Sequence, residues 1–244
     1  MSHAHFDFVL REARFVTPRV RELTFERADG APLVYVPGQF VTLHIPHPEK
    51  LLRRSYSIAT MPGTSDGISI AVAHVEGGRA TRFLFDMEPG EKVEASGPFG
   101  RFVLRDDPPC RYLLIATGTG VTPYRSMLPE LAGKLEKGAC TAELLLGVRS
   151  RAELLYGDEF IAFAERHPGF RFHACYSREM PLDPRPWEHR GYVQDVLATM
   201  TLDPQRDIAY VCGNPDMIDA VAARLKDAGF PLANVRREKY VSSN

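Results

Sequence analysis

Residues that could do chemistry in this chain of 244 residues fall into a few short segments. One of them, Arg54 to Ser57, has the sequence RSYS and combines a guanidinium with a phenol ring and two serine hydroxyls. Arginine binds phosphate through paired hydrogen bonds, and tyrosine offers a flat face on which a planar ring can stack. An ordinary half-exposed strand shows the same alternation of side chains. These four residues alone therefore leave both interpretations open.

Two glycine-containing turns form the next group. The segment GTGVTP, Gly118 to Pro123, follows an apolar run and precedes a predicted helix, and CGNPDM, Cys212 to Met217, occupies a similar turn. Glycines allow close backbone approach, and the free N–H groups at a helix start bind pyrophosphate. Because the carboxyl ends of parallel strands share one edge of a sheet, both turns are predicted to face one dinucleotide. The alternatives are a purely structural turn and, for Cys212, a buried core thiol.

Short strands are predicted throughout the first hundred residues, with breaks at Thr17-Pro18 and Pro37-Gly38. Strands at such regular spacing indicate an antiparallel barrel or sandwich, and Pro89-Gly90 closes the one helix predicted among them. The predicted strands lie within Phe6 to Phe25, Val34 to Ile45, Ser55 to Ala59, Ile68 to Val75 and Glu91 to Ala95, and the helix spans Ala80 to Met87.

The pattern changes to strand–helix alternation after Asp106 to Pro109, which we interpret as a linker. Apolar runs of this kind suit strands that are buried on both faces of a parallel sheet. Thr122 is the predicted cap of one helix, and Asn214 caps another that ends before Gly229. The sequence thus predicts two domains, 1–107 and 108–244. The four predicted strands are Tyr112 to Ala116, Ala142 to Val148, Phe170 to Tyr176 and Ile208 to Cys212.

Composition excludes several classes of protein. A formal net charge of −1 argues against a basic nucleic-acid-binding chain, and we find neither a membrane span nor a signal peptide. The four cysteines are at least 30 residues apart, so we expect neither a metal cluster nor a disulfide framework, and we expect a cytoplasmic protein. The close histidine pairs, His3/His5 and His44/His47, follow no metal-ligand spacing, and we expect no metal site.

The order of RSYS, GRAT at Gly78 to Thr81, GTGVTP and CGNPDM resembles the ferredoxin–NADP reductase family, as a stand-alone bacterial-like member of the plant-type superfamily. The resemblance runs from about Val36 to Tyr240. It implies an N-terminal antiparallel β-barrel that binds FAD, followed by an α/β domain with a parallel sheet that binds NADP(H).

The resemblance also implies roles for residues of the first domain. Arg54 would bind the FAD pyrophosphate, Tyr56 would lie against the flavin or its ribityl chain, and Ser57 would hydrogen-bond near flavin N5. The GRAT segment would open a helix whose backbone N–H groups hold the pyrophosphate. The expected FAD-binding residues are Arg54, Ser55, Tyr56, Ser57, Gly78, Ala80 and Thr81.

In the second domain the resemblance implies a pyrophosphate cradle, contacts to the nicotinamide from Cys212 and Gly213, and a 2′-phosphate site that favours NADPH. The cradle residues are Gly118, Thr119, Gly120 and Thr122, and those of the phosphate site are Arg149, Ser177 and Arg178. The expected catalytic residues are Ser57, Cys212, Glu238 and Tyr240. Tyr240 would cover the flavin face, although four residues follow it, and packing of the last strand is the alternative role.

The implied reaction is hydride exchange between NADPH and flavin N5, coupled to one-electron transfer to a separate carrier such as ferredoxin or flavodoxin. A basic patch at Arg53, Arg79, Arg82 and Arg101 would dock an acidic carrier. We expect a monomer that binds neither nucleic acid nor membrane. Two alternatives remain: an NADH-preferring reductase component of an oxygenase system, and a non-catalytic flavin- or nucleotide-binding regulator.

Overall fold

The computed structural model describes residues 5–105 and 110–240. The chain forms two compact units. One contains residues 5–104 together with Thr122–Pro129, and the other contains residues 105, 110–121 and 130–240. The predicted linker and the boundary at 107/108 lie outside the described residues, and the boundary stays a prediction.

The first unit contains a six-stranded antiparallel sheet with strand order β4-β3-β6-β1-β2-β5. A bridge between Ile58 and Ile70 joins the two outer strands, which closes the sheet into a barrel. This confirms the antiparallel barrel. Its elements are β1 (His5–Thr17), β2 (Val20–Arg27), β3 (Phe40–Ile45), β4 (Leu52–Ser57), β5 (Ile68–Ala73), α1 (Arg79–Asp86) and β6 (Lys92–Phe99).

Alternating apolar residues of these strands fill the barrel, as the period of two predicts. Several predicted strand boundaries are shifted: Ser55–Ala59 is observed as Leu52–Ser57, and Glu91–Ala95 as Lys92–Phe99. The largest shift is at the strand predicted from Val34, which begins only at Phe40, after the turn at the predicted Pro37-Gly38 break. The Val34 side chain is accordingly 82% exposed. The predicted helix forms one residue earlier than expected, and the buried Arg21 donates hydrogen bonds to the carbonyls of Leu84 and Phe85 at its end.

The second unit contains a six-stranded parallel sheet with strand order β10-β9-β8-β7-β11-β12. The central strands are almost fully buried, which explains their apolar sequence. The elements of this part of the chain are β7 (Cys110–Thr117), α2 (Thr122–Glu136), β8 (Cys140–Val148), α3 (Gly157–Arg166), β9 (Phe170–Tyr176), β10 (Glu188–Arg190), α4 (Val193–Thr199), β11 (Asp207–Gly213), α5 (Pro215–Asp227) and β12 (Val235–Lys239).

The two predicted helix caps have different outcomes. Asn214 caps α5 as expected, because its side-chain oxygen accepts hydrogen bonds from the N–H groups of Asp216 and Met217. The prediction that Thr122 caps α2 is wrong. A 3₁₀ turn over Gly118–Val121 leads directly into α2, so Val121 occupies the cap position and Thr122 is already helical. Among the described residues, no helix combines the length and the apolar character that a membrane crossing requires.

Candidate cofactor-binding sites

The RSYS segment lies on β4, and its four side chains alternate between two faces. In the register with β3, Arg54 is opposite Leu43 and Tyr56 is opposite Val41. Ser55 is opposite Thr42, and their hydroxyl oxygens are 3.0 Å apart. Because residues two apart in a strand share a face, Arg54 and Tyr56 lie on the same face of β4. Ser55 and Ser57 lie on the other face of the strand.

Tyr56 presents a fixed and uncharged ring. It packs against the barrel core, and burial raises the pKa of its hydroxyl well above the usual value, although the neighbouring Arg54 opposes this. Ser57 ends the strand and is 5% exposed. A held aromatic ring beside a guanidinium suits a ligand that combines a planar ring with a phosphate.

The GRAT segment forms the start of α1. Gly78 is the N-terminal cap residue of α1, and its backbone is extended. As a glycine it has no side chain that could accept hydrogen bonds from the first N–H groups of the helix. A Cβ atom at Gly78 would lie 2.7 Å from Thr81 Oγ1 and 3.0 Å from Val75 Cβ, so a larger residue would require these neighbours to shift. Because the cap residue has no side chain, the first backbone N–H groups of α1 receive no side-chain cap from it. Backbone N–H groups at a helix start can bind phosphate.

Two predicted members of this segment differ in their surroundings. Ala80 is 6% exposed and belongs to the barrel core, so only its backbone can contribute to binding. The Thr81 hydroxyl donates to the carbonyl oxygen of Gly78 at 3.0 Å and thereby stabilises the turn. The residues present fit the FAD pyrophosphate.

The two glycine turns of the second unit lie against each other, as predicted. A Cβ atom at Gly120 would lie 2.3 Å from the carbonyl oxygen of Cys212, so the contact requires glycine. The N–H of Asn214 donates to Thr117 Oγ1 at 2.9 Å. Gly118, Thr119 and Gly120 thus lie beside Cys212 and Gly213, at the carboxyl ends of the neighbouring strands β7 and β11. This is the position at which α/β sheets bind dinucleotides.

Three of the four predicted catalytic residues lie together at the end of β11 and β12. Cys212 pairs with Glu238 across the two strands, and the N–H of Tyr240 donates to the carbonyl oxygen of Gly213 at 2.9 Å. The Tyr240 side chain acts to lower the pKa of the Cys212 thiol, against the larger effect of burial. Ser57, the fourth residue, belongs to the first unit.

Burial sets the protonation of this group. It raises the pKa of the Cys212 thiol well above its usual value, so the sulfur stays protonated at neutral pH. Burial also raises the pKa of Glu238 to about 7, and its Oε2 atom has no hydrogen-bond partner among the described residues. A carboxyl group that titrates near neutrality can hold or release a proton.

The predicted 2′-phosphate residues also converge, at the ends of β8 and β9. The N–H of Ser177 donates to the carbonyl oxygen of Val148, and that of Arg178 donates to the carbonyl oxygen of Arg149, both at 3.0 Å. The Arg149 guanidinium pairs with both carboxylate oxygens of Glu153, which partly neutralises its charge. Arg178 is exposed and carries the accessible positive charge. Sequence reasoning missed Glu153, although its position four residues after Arg149 was a usable signal.

Comparison with known proteins agrees with this division of the chain. Residues 7–104 match the family model described as "Oxidoreductase FAD-binding domain", and residues 114–223 match "Oxidoreductase NAD-binding domain". The two matches include the RSYS and GRAT segments in the first case and both glycine turns in the second.

Individual relatives span a range of reductases. The chain is 37% identical over 245 residues to ferredoxin–NADP reductase B of Sorangium cellulosum, which covers 96% of this chain and 97% of that protein. It is 29% identical to the toluate 1,2-dioxygenase electron transfer component of Pseudomonas putida, over 98% of this chain and 69% of the relative. The crystal structure of an Amycolatopsis cytochrome P450 reductase matches with a TM-score of 0.85 at 29% identity, covering 100% of this chain and 72% of that one.

Proposed function

The chain belongs to the ferredoxin–NADP reductase-like family of FAD- and NAD(P)-binding oxidoreductases, and from this premise we propose that it is a ferredoxin (flavodoxin)–NADP⁺ reductase. It is an FAD-dependent NAD(P)H oxidoreductase that transfers electrons. The finer proposal is that NADPH is the coenzyme and that a separate one-electron carrier protein is the partner. The observation that carries it is the 37% identity to a ferredoxin–NADP reductase over nearly the full length of both chains.

The residues of this chain bind and orient the two cofactors. Bound FAD supplies a flavin ring that exchanges a hydride with nicotinamide and passes electrons singly to a carrier. Arg54 offsets the charge of the FAD pyrophosphate, and the N–H groups at the start of α1 bind the same group. The turn from Gly118 to Gly120 holds the coenzyme pyrophosphate, and Glu238 holds an exchangeable proton.

The charge of the barrel surface supports docking of a separate carrier. The four cysteines of this sequence, Cys110, Cys140, Cys175 and Cys212, are all buried thiols. Arg53, Arg79, Arg82 and Arg101 are exposed on the first unit and would attract an acidic carrier.

An NADH-preferring reductase component of an oxygenase system is the second candidate. The similarity to the toluate dioxygenase component favours it, and so does the Arg149–Glu153 ion pair, which reduces the positive charge beside the proposed phosphate site. The two candidates differ in coenzyme preference and in electron acceptor.

Steady-state kinetics with NADPH and NADH, with ferredoxin, flavodoxin and an oxygenase component as acceptors, separates them. We expect Arg178→Ala to raise the KM for NADPH roughly tenfold or more without changing the values for NADH, because only NADPH carries the 2′-phosphate. Arg149→Ala is the matched control with a smaller expected effect. A wild-type preference for NADH, or equal losses for both coenzymes in Arg178→Ala, would contradict the proposal.

A further inference from the structure

Three residues with metal-binding side chains meet on the outer face of the barrel. His44 on β3 is directly opposite Glu94 on β6, and His5 on β1 is opposite Ser96 on β6. Glu94 and Ser96 are two residues apart, so all four side chains lie on the same face of three adjacent strands. The neighbouring residues of these strands, such as Leu43 and Ala95, point into the core.

The ligand atoms of this group lie close together. One atom each from His5, His44 and Glu94 lies within 4.8 Å of the other two. His5 Nδ1 is hydrogen-bonded to Glu94 Oε1, and the two imidazole rings are 4.8 Å apart between centroids. Because His5 is exposed and Glu94 is partly exposed, both side chains can separate slightly to admit an ion.

His44 provides a second and independent indication of a ligand. Its side chain is only 3% exposed, and its Nδ1 atom is buried without a hydrogen-bond partner among the described residues. A buried polar atom without a partner is costly in free energy and calls for an explanation. The other ring nitrogen, Nε2, is 2.8 Å from Ser96 Oγ. When Nε2 donates its proton to that hydroxyl, Nδ1 keeps the lone pair that a metal requires.

We propose that His5, His44 and Glu94 bind a divalent transition-metal ion, and that zinc is the ion this donor set fits best. Two imidazoles and one carboxylate are a ligand set that zinc uses, with one position left for water. Zinc–ligand bonds of about 2.0–2.2 Å place the donors of a tetrahedral site roughly 3.3 Å apart, which the present spacing accommodates after a small movement.

The charge around the site is mixed. Arg53 pairs with His44 across β3 and β4, and its positive charge opposes a cation. Arg53 is exposed, however, so water and salt screen much of this repulsion. Bound metal would link β1 to β3 through β6, and it would therefore stabilise the start of β1 in the sheet.

The test uses the untagged holoenzyme after removal of metals with a chelator. Isothermal titration with Zn²⁺ is expected to give one site per chain, confirmed by metal analysis after dialysis. We expect Glu94→Gln and His5→Ala to weaken binding by at least about 100-fold, and Ser96→Ala, which removes only the positioning contact, by roughly 10- to 100-fold. Glu94→Gln keeps a hydrogen-bonding partner for His5, and the flavin absorbance and circular dichroism of each variant report its folding.

A histidine control makes the assignment specific. His47 follows β3 but contacts Arg79, outside the cluster. We expect His47→Gln to bind zinc as the wild type does. The proposal is overturned if the wild type binds no zinc at millimolar concentrations, if Glu94→Gln binds as tightly as the wild type, or if His47→Gln loses binding to the same extent.

Discussion

At the scale of single residues, Arg54 provides the most direct test of the FAD site. It lies on the same face of β4 as Tyr56, so its guanidinium and the aromatic ring can contact one ligand. We expect Arg54→Ala to weaken FAD binding roughly tenfold to 150-fold, because a charge-assisted hydrogen bond contributes about 1.5–3 kcal/mol. Fluorescence titration of the apoprotein with FAD measures the effect. Arg54→Lys keeps the charge but loses the paired hydrogen-bond geometry, so its FAD affinity should lie between those of the wild type and Arg54→Ala. An unchanged dissociation constant in Arg54→Ala would rule out this role.

Glu238 makes the stability of the holoenzyme depend on pH near neutrality. Burial raises the pKa of its carboxyl group from 4.5 to about 7 in the folded protein. Between these values the folded state holds a proton that the unfolded state has released, so this contribution to stability is complete below pH 4.5 and is lost as the pH rises through 7.

Glu238→Gln should remove this contribution. Urea unfolding of the wild type and the variant at about pH 5 and about pH 8 measures it, and the comparison cancels the other titrating groups. We expect the variant to gain stability relative to the wild type on going from the lower to the higher pH. If the difference in free energy of unfolding between the wild type and Glu238→Gln is the same at both pH values, burial does not raise the pKa of Glu238.

At the scale of elements, Asn214 belongs to the second glycine turn and caps the N-terminus of α5. Asn214 Oδ1 accepts from Asp216 N at 2.8 Å and from Met217 N at 3.3 Å. We expect Asn214→Ala to cost about 1 kcal/mol of stability and to lower Tm by about 2–4 °C. Differential scanning calorimetry measures this. Asn214→Ser, which keeps a side-chain acceptor, serves as the control and should retain most of the stability. If both variants lose the same stability, the side-chain hydrogen bonds of the cap do not account for the loss.

At the scale of the whole molecule, a polar network crosses the parallel sheet from strand to strand. His189 Nε2 and His173 Nδ1 are 3.0 Å apart, and His173 Nε2 is 3.2 Å from Glu143. Arg111 pairs with Glu143 and with Asp207. Burial and the neighbouring His173 lower the pKa of His189 below 6.5. The unfolded state therefore takes up a proton first on acidification, and stability falls as the pH drops below about 6.5.

His189→Gln should weaken this acid sensitivity, because glutamine does not titrate. Chemical unfolding between about pH 7 and about pH 5 measures the slope for wild type and variant. His167→Gln, which changes a histidine outside the network, should keep the wild-type slope. If His189→Gln and the wild type lose stability equally on acidification, the network does not account for the acid sensitivity.

Local sequence patterns determined the types of most elements. The run Phe170 to Tyr176 forms β9 with the predicted bounds, and Asn214 caps α5, because apolar periodicity and capping act between residues close in the chain. The order of the four motifs was sufficient for the family. The same local reasoning was wrong at Thr122, where a 3₁₀ turn moves the helix start by one residue, and at Val34, where a turn ends the extended chain.

The sequence by itself thus determined a barrel followed by a parallel sheet, and it predicted the segments that we propose to bind the cofactors. Only the tertiary structure decided which distant residues meet. Strand register places Cys212 beside Glu238, which the family resemblance had already grouped with it. It also brings His44, Glu94 and His5 onto one face, although no spacing in the sequence signals that group. The physical reason is that register depends on pairing between strands far apart in the chain. A shift by one residue would turn each of these side chains to the opposite face.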